Sequence, residues 1–136
     1  MSSAASPTPA LLVVDDNELN LRLLNDVLLT QNYSVTLARS GEEALLAAQT
    51  TSFDLVLMDV QMPSMSGTEA MRRLKHPPEW RAPILAVTAL AMQGDEMHLL
   101  DAGFDGYISK PIAYKTLLET VASYLQPRAS SPERSS

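Results

Sequence analysis

Asp54-Leu55-Val56-Leu57-Met58-Asp59 sets four apolar residues between two acids. The run is too short for a helix and has the length of a β-strand buried on both faces. Strands of that kind belong to parallel sheets, so this hexapeptide argues for an α/β fold. Its last residue puts a carboxylate at the carboxyl end of a buried strand, and Met62-Pro63 and Gly67 follow as loop residues. Open α/β sheets hold their chemistry in the crevice beyond the strand ends. Asp59 is therefore the first candidate for a reactive group.

Working outward, the same alternation of strand and helix recurs on either side. Ala10 to Val14 is a short apolar run ending at Asp15-Asp16. Asn17 to Leu29 carries Leu21, Leu24 and Leu28 at helical spacing, with Leu23 and Val27 beside them and Asp16 or Asn17 as cap. Tyr33 to Ala38 alternates like a strand, and Ser40 to Glu43 has capping-box spacing before a helix over Glu42 to Gln49. After Asp59, Gly67 opens a helix through Leu74 that stops before Pro77-Pro78. Pro83 to Thr88 predicts a fourth strand, Ala91 to Ala102 a helix closed by Gly103, and Asp105 to Ser109 a fifth strand. The last helix carries a stripe of Tyr114, Leu117, Leu118, Val121, Ala122 and Leu125. The domain is expected over residues 10–126, with disordered tails over 1–9 and over the Pro-, Ser- and Arg-rich 127–136.

Five strands alternating with five helices predict a flavodoxin-like (CheY-like) doubly wound (βα)5 fold, its parallel sheet ordered 2-1-3-4-5. In that order the crevice opens between the first and third strands. Asp15 and Asp16 leave the first and Asp59 ends the third, so three carboxylates from distant sequence meet there. Thr88, at the end of the fourth strand, and Lys110, after the fifth, border the same crevice.

Composition narrows the function. At 136 residues one domain buries roughly two-thirds of the surface its unfolded chain exposes. The net charge is −6, from 10 basic and 16 acidic residues, and the basic ones are scattered, which argues against a nucleic-acid partner. No cysteine is present, so disulfides, thiolate metal sites and cysteine nucleophiles drop out. The first nine residues resemble no targeting peptide, and no apolar run reaches the about 18 residues of a membrane span. A soluble cytoplasmic protein without membrane contact is the expectation.

Three carboxylates a few ångström apart repel one another, by about 4 kcal/mol per pair at 4 Å and an effective dielectric near 20, and so call for a cation. Hard oxygen donors with room for waters suit Mg²⁺, held by Asp16 and Asp59 with Asp15 acting through water. A magnesium beside a carboxylate that also faces a lysine and a threonine suits phosphoryl transfer, with Asp59 as the covalent acceptor. Taken singly, each residue has a plainer explanation. Asp15-Asp16 reads as a helix cap, Asp59 as a turn residue, Thr88 as a strand end, Lys110 as a surface charge and Tyr107 as strand filler. Their ordered placement at the ends of four strands is what chance does not supply.

These residues resemble the response-regulator receiver family of two-component signalling. The resemblance lies in Val13-Val14-Asp15-Asp16-Asn17, in Leu57 to Pro63 with Gly67, in Ala86-Val87-Thr88-Ala89 and in Tyr107-Ile108-Ser109-Lys110-Pro111. It runs from about Ala10 to Leu125. It narrows to single-domain receivers of the DivK type through Asp15 to Asn20 and Ala89 to Glu96. The resemblance implies that Asp59 takes phosphate from a histidine kinase or histidine phosphotransfer protein. It implies that Asp15, Asp16, Asp59 and the Gln61 backbone carbonyl serve Mg²⁺. Thr88, Ala89 and Lys110 would then bind the phosphoryl group, with Thr88 and Tyr107 acting as the switch and Gln61 and Leu90 flanking the site.

The expected output is contact with a downstream target or onward phosphotransfer, since no further segment remains to build an effector domain. Partners would read the face of the fourth helix, fifth strand and fifth helix, where Met92 and Met97 add apolar surface and where a homodimer could also form. The only expected catalysis is the protein's own phosphorylation and dephosphorylation. An aspartyl phosphatase would need an acid where Gln61 stands, and a flavin carrier would need a hydroxyl- and glycine-rich loop where Asp15 to Glu18 would repel phosphate. A receiver reduced to a binding module would lack an acid, Thr88 or Lys110, and all are present. The Lys110-Pro111 peptide is expected to be cis, which turns the lysine back toward the crevice.

Overall fold

The computed structural model describes residues 8–63, 65–89 and 95–125, with residues 95 and 96 in backbone only. The expected tail disorder, the first turn of the fourth helix, Leu90 and Met92 lie outside the described residues. Five strands, β1 (Ala10–Val14), β2 (Ser34–Ala38), β3 (Leu55–Asp59), β4 (Ile84–Thr88) and β5 (Gly106–Ser109), alternate with five helices. The helices are α1 (Glu18–Leu29), α2 (Gly41–Thr50), α3 (Gly67–Lys75), α4 (Asp95–Ala102) and α5 (Tyr114–Leu125). The sheet is parallel throughout in the order β2-β1-β3-β4-β5, the 2-1-3-4-5 arrangement expected from the pattern.

Every residue of β3 and β4 is buried, because helices cover both faces of the central strands. Even-numbered residues Leu12, Val14, Val56, Met58, Ile84 and Ala86 pack with Ala44, Ala70, Met71 and Leu74, which belong to α2 and α3, and with Phe104. Odd-numbered Leu11, Val13, Leu55, Leu57, Leu85 and Val87 pack with Leu21, Leu24 and Leu28 of α1 and with Leu117 and Val121 of α5. The period of two along each strand thus splits the core into two layers, with the sheet between them.

The helix ends follow the sequence reading at α1, α2 and α4 and add to it elsewhere. Of the two caps the sequence offers, Asn17 is the one that caps α1, its side chain accepting from the Asn20 amide at 3.0 Å. Ser40 caps α2 by accepting from the Glu43 amide, while the Glu43 carboxylate reaches back to the Arg39 amide at 2.8 Å. Ser66 caps α3 in the same way, accepting from the Glu69 amide at 3.1 Å, a cap the sequence reading overlooked. Gly103 closes α4 at φ +125, its amide donating to the Leu100 carbonyl and the Phe104 amide to that of Leu99. That is a Schellman end, which requires the positive φ of glycine. Pro9, placed in the amino-terminal tail by the sequence reading, already accepts from the Ser34 amide at 2.9 Å. On α5 the stripe is narrower than expected: Leu117 and Val121 are buried, whereas Tyr114 and Ala122 face solvent.

Two aspartates outside the helices register the strands. The Asp54 amide donates to the Ala10 carbonyl at 2.7 Å, and its carboxylate accepts from the Ala10 amide at 2.8 Å. Asp105 does the same to Ile84 at 2.9 and 2.8 Å. Lys75, at the end of α3, bonds the Gly103 carbonyl at 2.6 Å and pairs with the Asp105 carboxylate at 2.9 Å. Each clamp satisfies a strand-entry amide and ties the start of one strand to the residue before its neighbour.

Candidate functional site

The crevice lies at the carboxyl ends of the strands. Asp15 follows β1 and is still held by the sheet, since its amide donates to the Ala38 carbonyl at 3.1 Å. Its side chain is buried, 3% exposed, and both oxygens have donors: Oδ1 accepts from the Asn17 amide at 2.9 Å and Oδ2 from Asn20 Nδ2 at 3.3 Å. Asp16, the next residue, is exposed. Asp59 ends β3 opposite Val87 of β4 and is also 3% exposed. Its Oδ1 accepts from the Gln61 amide at 3.2 Å, an Asx turn that folds the chain back over the acid.

Gly67 makes that turn possible. Its amide donates to the Val60 carbonyl at 3.0 Å, and a Cβ built on it would stand 2.2 Å from the Asp59 carbonyl oxygen and 2.7 Å from Val60 Cα. The Asp59–Val60 backbone leaves room there for hydrogen only, so the start of α3 can approach the phosphoacceptor candidate this closely only at a glycine.

Lys110 reaches the acids from the far side. Its amide donates to the Thr88 carbonyl at 2.9 Å, and its Nζ lies 3.4 Å from Asp59 Oδ1 and 3.9 Å from Asp15 Oδ2. The Lys110-Pro111 peptide is cis, as expected. Thr88 is buried at the end of β4, 1% exposed, and the exposed Ala89 follows it. Tyr107 faces outward on β5, 37% exposed, and lines a shallow groove of about 330 Å³ along α5 with Thr116 and Thr120.

The expected convergence of the acids is present: carboxylate oxygens of Asp15, Asp16 and Asp59 lie within 4.8 Å of one another. The cost of that convergence falls on Asp59. Burial, and then the Asp15 charge, push its pKa from 3.8 up to about 6, against the pull of Lys110 and the Gln61 amide. A trio of carboxylates, one of them exposed to water, fits a hard divalent cation that keeps part of its hydration shell, which is the chemistry of Mg²⁺. Asn20 is the residue here that the sequence reading gave no role. Its signal was present in its position, one turn into α1 on the side facing Asp15, but one such asparagine has many ordinary explanations.

The model of the response regulator receiver domain matches residues 11–122, nearly the whole of the described chain. The chain belongs to that family. This receiver is 44% identical over 119 residues to the polar-differentiation response regulator DivK of Brucella ovis, covering 87% of this chain and 97% of that one. Among solved structures, the receiver domain of the sensor histidine kinase PA1611 from Pseudomonas aeruginosa, with magnesium coordinated in its active-site cleft, has a TM-score of 0.79 and 32% identity. That alignment covers 88% of this chain and 98% of the other. The receiver domain of Ssk1 from Saccharomyces cerevisiae, in complex with the histidine phosphotransfer protein Ypd1, has a TM-score of 0.79 and 28% identity, covering 87% and 89%. The protein is thus a receiver of a two-component system, similar to DivK response regulators. Among the described residues no helix is long and apolar enough to cross a membrane.

Proposed function

We propose that Asp59 is the phosphoacceptor of this receiver, and that Asp15, Asp16, Asp59 and the Gln61 carbonyl hold the Mg²⁺ it requires. The observation that carries the reading is the convergence of three carboxylates within 4.8 Å with the Lys110 ammonium 3.4 Å from Asp59. An Asp59 carboxylate oxygen attacks the phosphorus of a phosphohistidine, the P–N bond breaks, and the imidazole leaves with its electron pair and takes a proton from solvent. The product is an acyl phosphate on Asp59. Bound Mg²⁺ supplies charge neutralisation for the acids and the incoming phosphoryl oxygens. Lys110 pairs with one phosphoryl oxygen, and the Thr88 hydroxyl and Ala89 amide donate to another. Burial excludes water from most of the Asp59 carboxylate, so the lysine acts in a medium where its charge counts for more than in bulk water.

The donor is a histidine kinase or a histidine phosphotransfer protein, a pairing supported by the family and by the Ssk1 receiver solved with Ypd1. The protein acts in the cytoplasm, its catalysis confined to its own phosphorylation and dephosphorylation. Output runs through the face of α4, β5 and α5, where Met97, Leu100 and Tyr107 are exposed, toward a downstream target or a second copy of the chain. Drawing Thr88 onto the phosphoryl group frees space for the Tyr107 ring to turn inward, which couples the acid to that face.

Incubation with acetyl phosphate or phosphoramidate should add one phosphoryl group by intact mass only when a divalent ion is present, and Asp59→Asn should abolish the addition. Labelling that survives in Asp59→Asn, or that ignores a chelator, refutes the assignment. Thr88→Ala should be phosphorylated nearly as well but should lose the phosphorylation-dependent gain in target affinity. An equal gain in both proteins would break the proposed coupling.

A further inference from the structure

A cavity of about 250 Å³ opens beside the acids, between α1 and the loop from β5 to α5. Leu23, Leu24, Pro111 and Ile112 give it apolar walls, and two of its polar side chains, Asn20 and Lys110, touch the acids. Lys110 is shared, with Nζ 3.4 Å from Asp59 Oδ1 and 3.9 Å from Asp15 Oδ2. The asymmetry has a visible source. Asp15 Oδ1 is taken by the Asn17 amide and Asp15 Oδ2 by Asn20 Nδ2, so a buried carboxylate is already supplied with donors before the lysine arrives. Without Asn20, Oδ2 would be a buried carboxylate oxygen short of a partner, and the nearest movable donor is Lys110.

We propose that Asn20 is a positioning residue of this site: its amide fixes the Asp15 carboxylate in the orientation in which it would serve the cation, and leaves Lys110 on Asp59. The inference rests on the phosphoacceptor reading above. It assigns Asn20 no contact with substrate, and its effect is transmitted through Asp15 and Lys110. Partners that orient a metal-binding carboxylate typically contribute 10-fold or more to metal affinity, although they never touch the ion.

The test is Mg²⁺ binding to the unphosphorylated protein by titration calorimetry, in wild type, Asn20→Ala, Asn20→Leu and Leu23→Ala. Leucine keeps the bulk and both replacements favour the helix, so folding should survive, as melting in EDTA will verify. Both Asn20 variants should bind Mg²⁺ about 10-fold more weakly, and Leu23→Ala, which lines the same cavity, should bind like wild type. No acid is removed in any variant, so a purely electrostatic role for the cluster predicts unchanged or tighter binding. A crystal structure of Asn20→Leu should show Lys110 Nζ nearer Asp15 Oδ2 than Asp59 Oδ1. Unchanged or tighter Mg²⁺ affinity in both Asn20 variants overturns the inference, as does a lysine that has not moved. Failure of the wild type itself to bind Mg²⁺ would instead overturn the phosphoacceptor reading and this inference with it.

Discussion

Replacing Asp59 by asparagine should stabilise the metal-free protein, and the size of the gain follows from the site. At 4.8 Å, the outer limit of the cluster, the pair of buried carboxylates Asp15 and Asp59 costs at least about 3.5 kcal/mol at an effective dielectric of 20. Burial of the carboxylate is the largest contribution, the Asp15 charge adds to it, and Lys110 at 3.4 Å offsets only part of the sum. The net cost agrees with the Asp59 pKa, which stands at about 6 in the folded state against 3.8. That difference is worth on the order of 3 kcal/mol at 1.36 kcal/mol per unit. The sign is that of an acid whose folded pKa is raised. Between pH 3.8 and 6 the native state holds a proton that the unfolded state has released, so this group's contribution to stability declines as pH rises through that window and is flat above it. Asparagine mimics the protonated acid. In urea denaturation with EDTA, Asp59→Asn should therefore be about 2 to 3 kcal/mol more stable than wild type at pH 7.5, and the gap should shrink toward zero by pH 4. Saturating Mg²⁺ should close the gap at pH 7.5 by stabilising the wild type. A variant no more stable than wild type in EDTA, or a gap independent of pH, would refute the electrostatic account.

Gly67→Ala should cost about 2 to 4 kcal/mol by chemical denaturation and suppress phosphorylation, because its Cβ would lie 2.2 Å from the Asp59 carbonyl oxygen; near-normal labelling would show that the turn can relax. Lys110→Ala removes the charge that pulls the Asp59 pKa down, so the carboxyl ¹³C titration of metal-free Asp59 should move above its wild-type midpoint of about 6; an unchanged or lower midpoint would show that Lys110 does not hold the Asp59 pKa down. Asp105→Ala should destabilise by about 1 to 3 kcal/mol, since it strips the Ile84 amide of its acceptor and leaves Lys75 only the Gly103 carbonyl, while leaving the phosphorylation rate within about twofold; a large rate loss would mean that β4 register at Ile84 controls the far end of the strand.

What could be read from the sequence, and what could not, divides along a physical line. A parallel strand covered on both faces has no polar positions to spend, so Leu11 to Val14, Leu55 to Met58 and Ile84 to Val87 announce themselves as apolar runs. The order of the sheet then follows from right-handed crossovers, and it alone carries Asp15, Asp16 and Asp59 into one crevice. Helix faces are less legible, because a leucine or tyrosine at the right spacing can still point outward: Leu23 is 40% exposed on α1 and Tyr114 40% on α5. Least legible are contacts whose two partners sit far apart in the chain and carry no local pattern. Asp54 looked like a flanking acid and proved to clamp Ala10, 44 residues away, and Asp105 clamps Ile84 across 21. Gly67 looked like a helix start and proved to be the only kind of residue that can lie against the Asp59 carbonyl. Asn20 belongs to the same class, since its meaning depends on the buried Asp15 carboxylate taking its side-chain amide as a donor. In a receiver the acids are placed by topology, but their protonation and orientation are set by such neighbours, so it is at residues like Asn20, Gly67 and Lys110 that substitutions should change the chemistry without changing the fold.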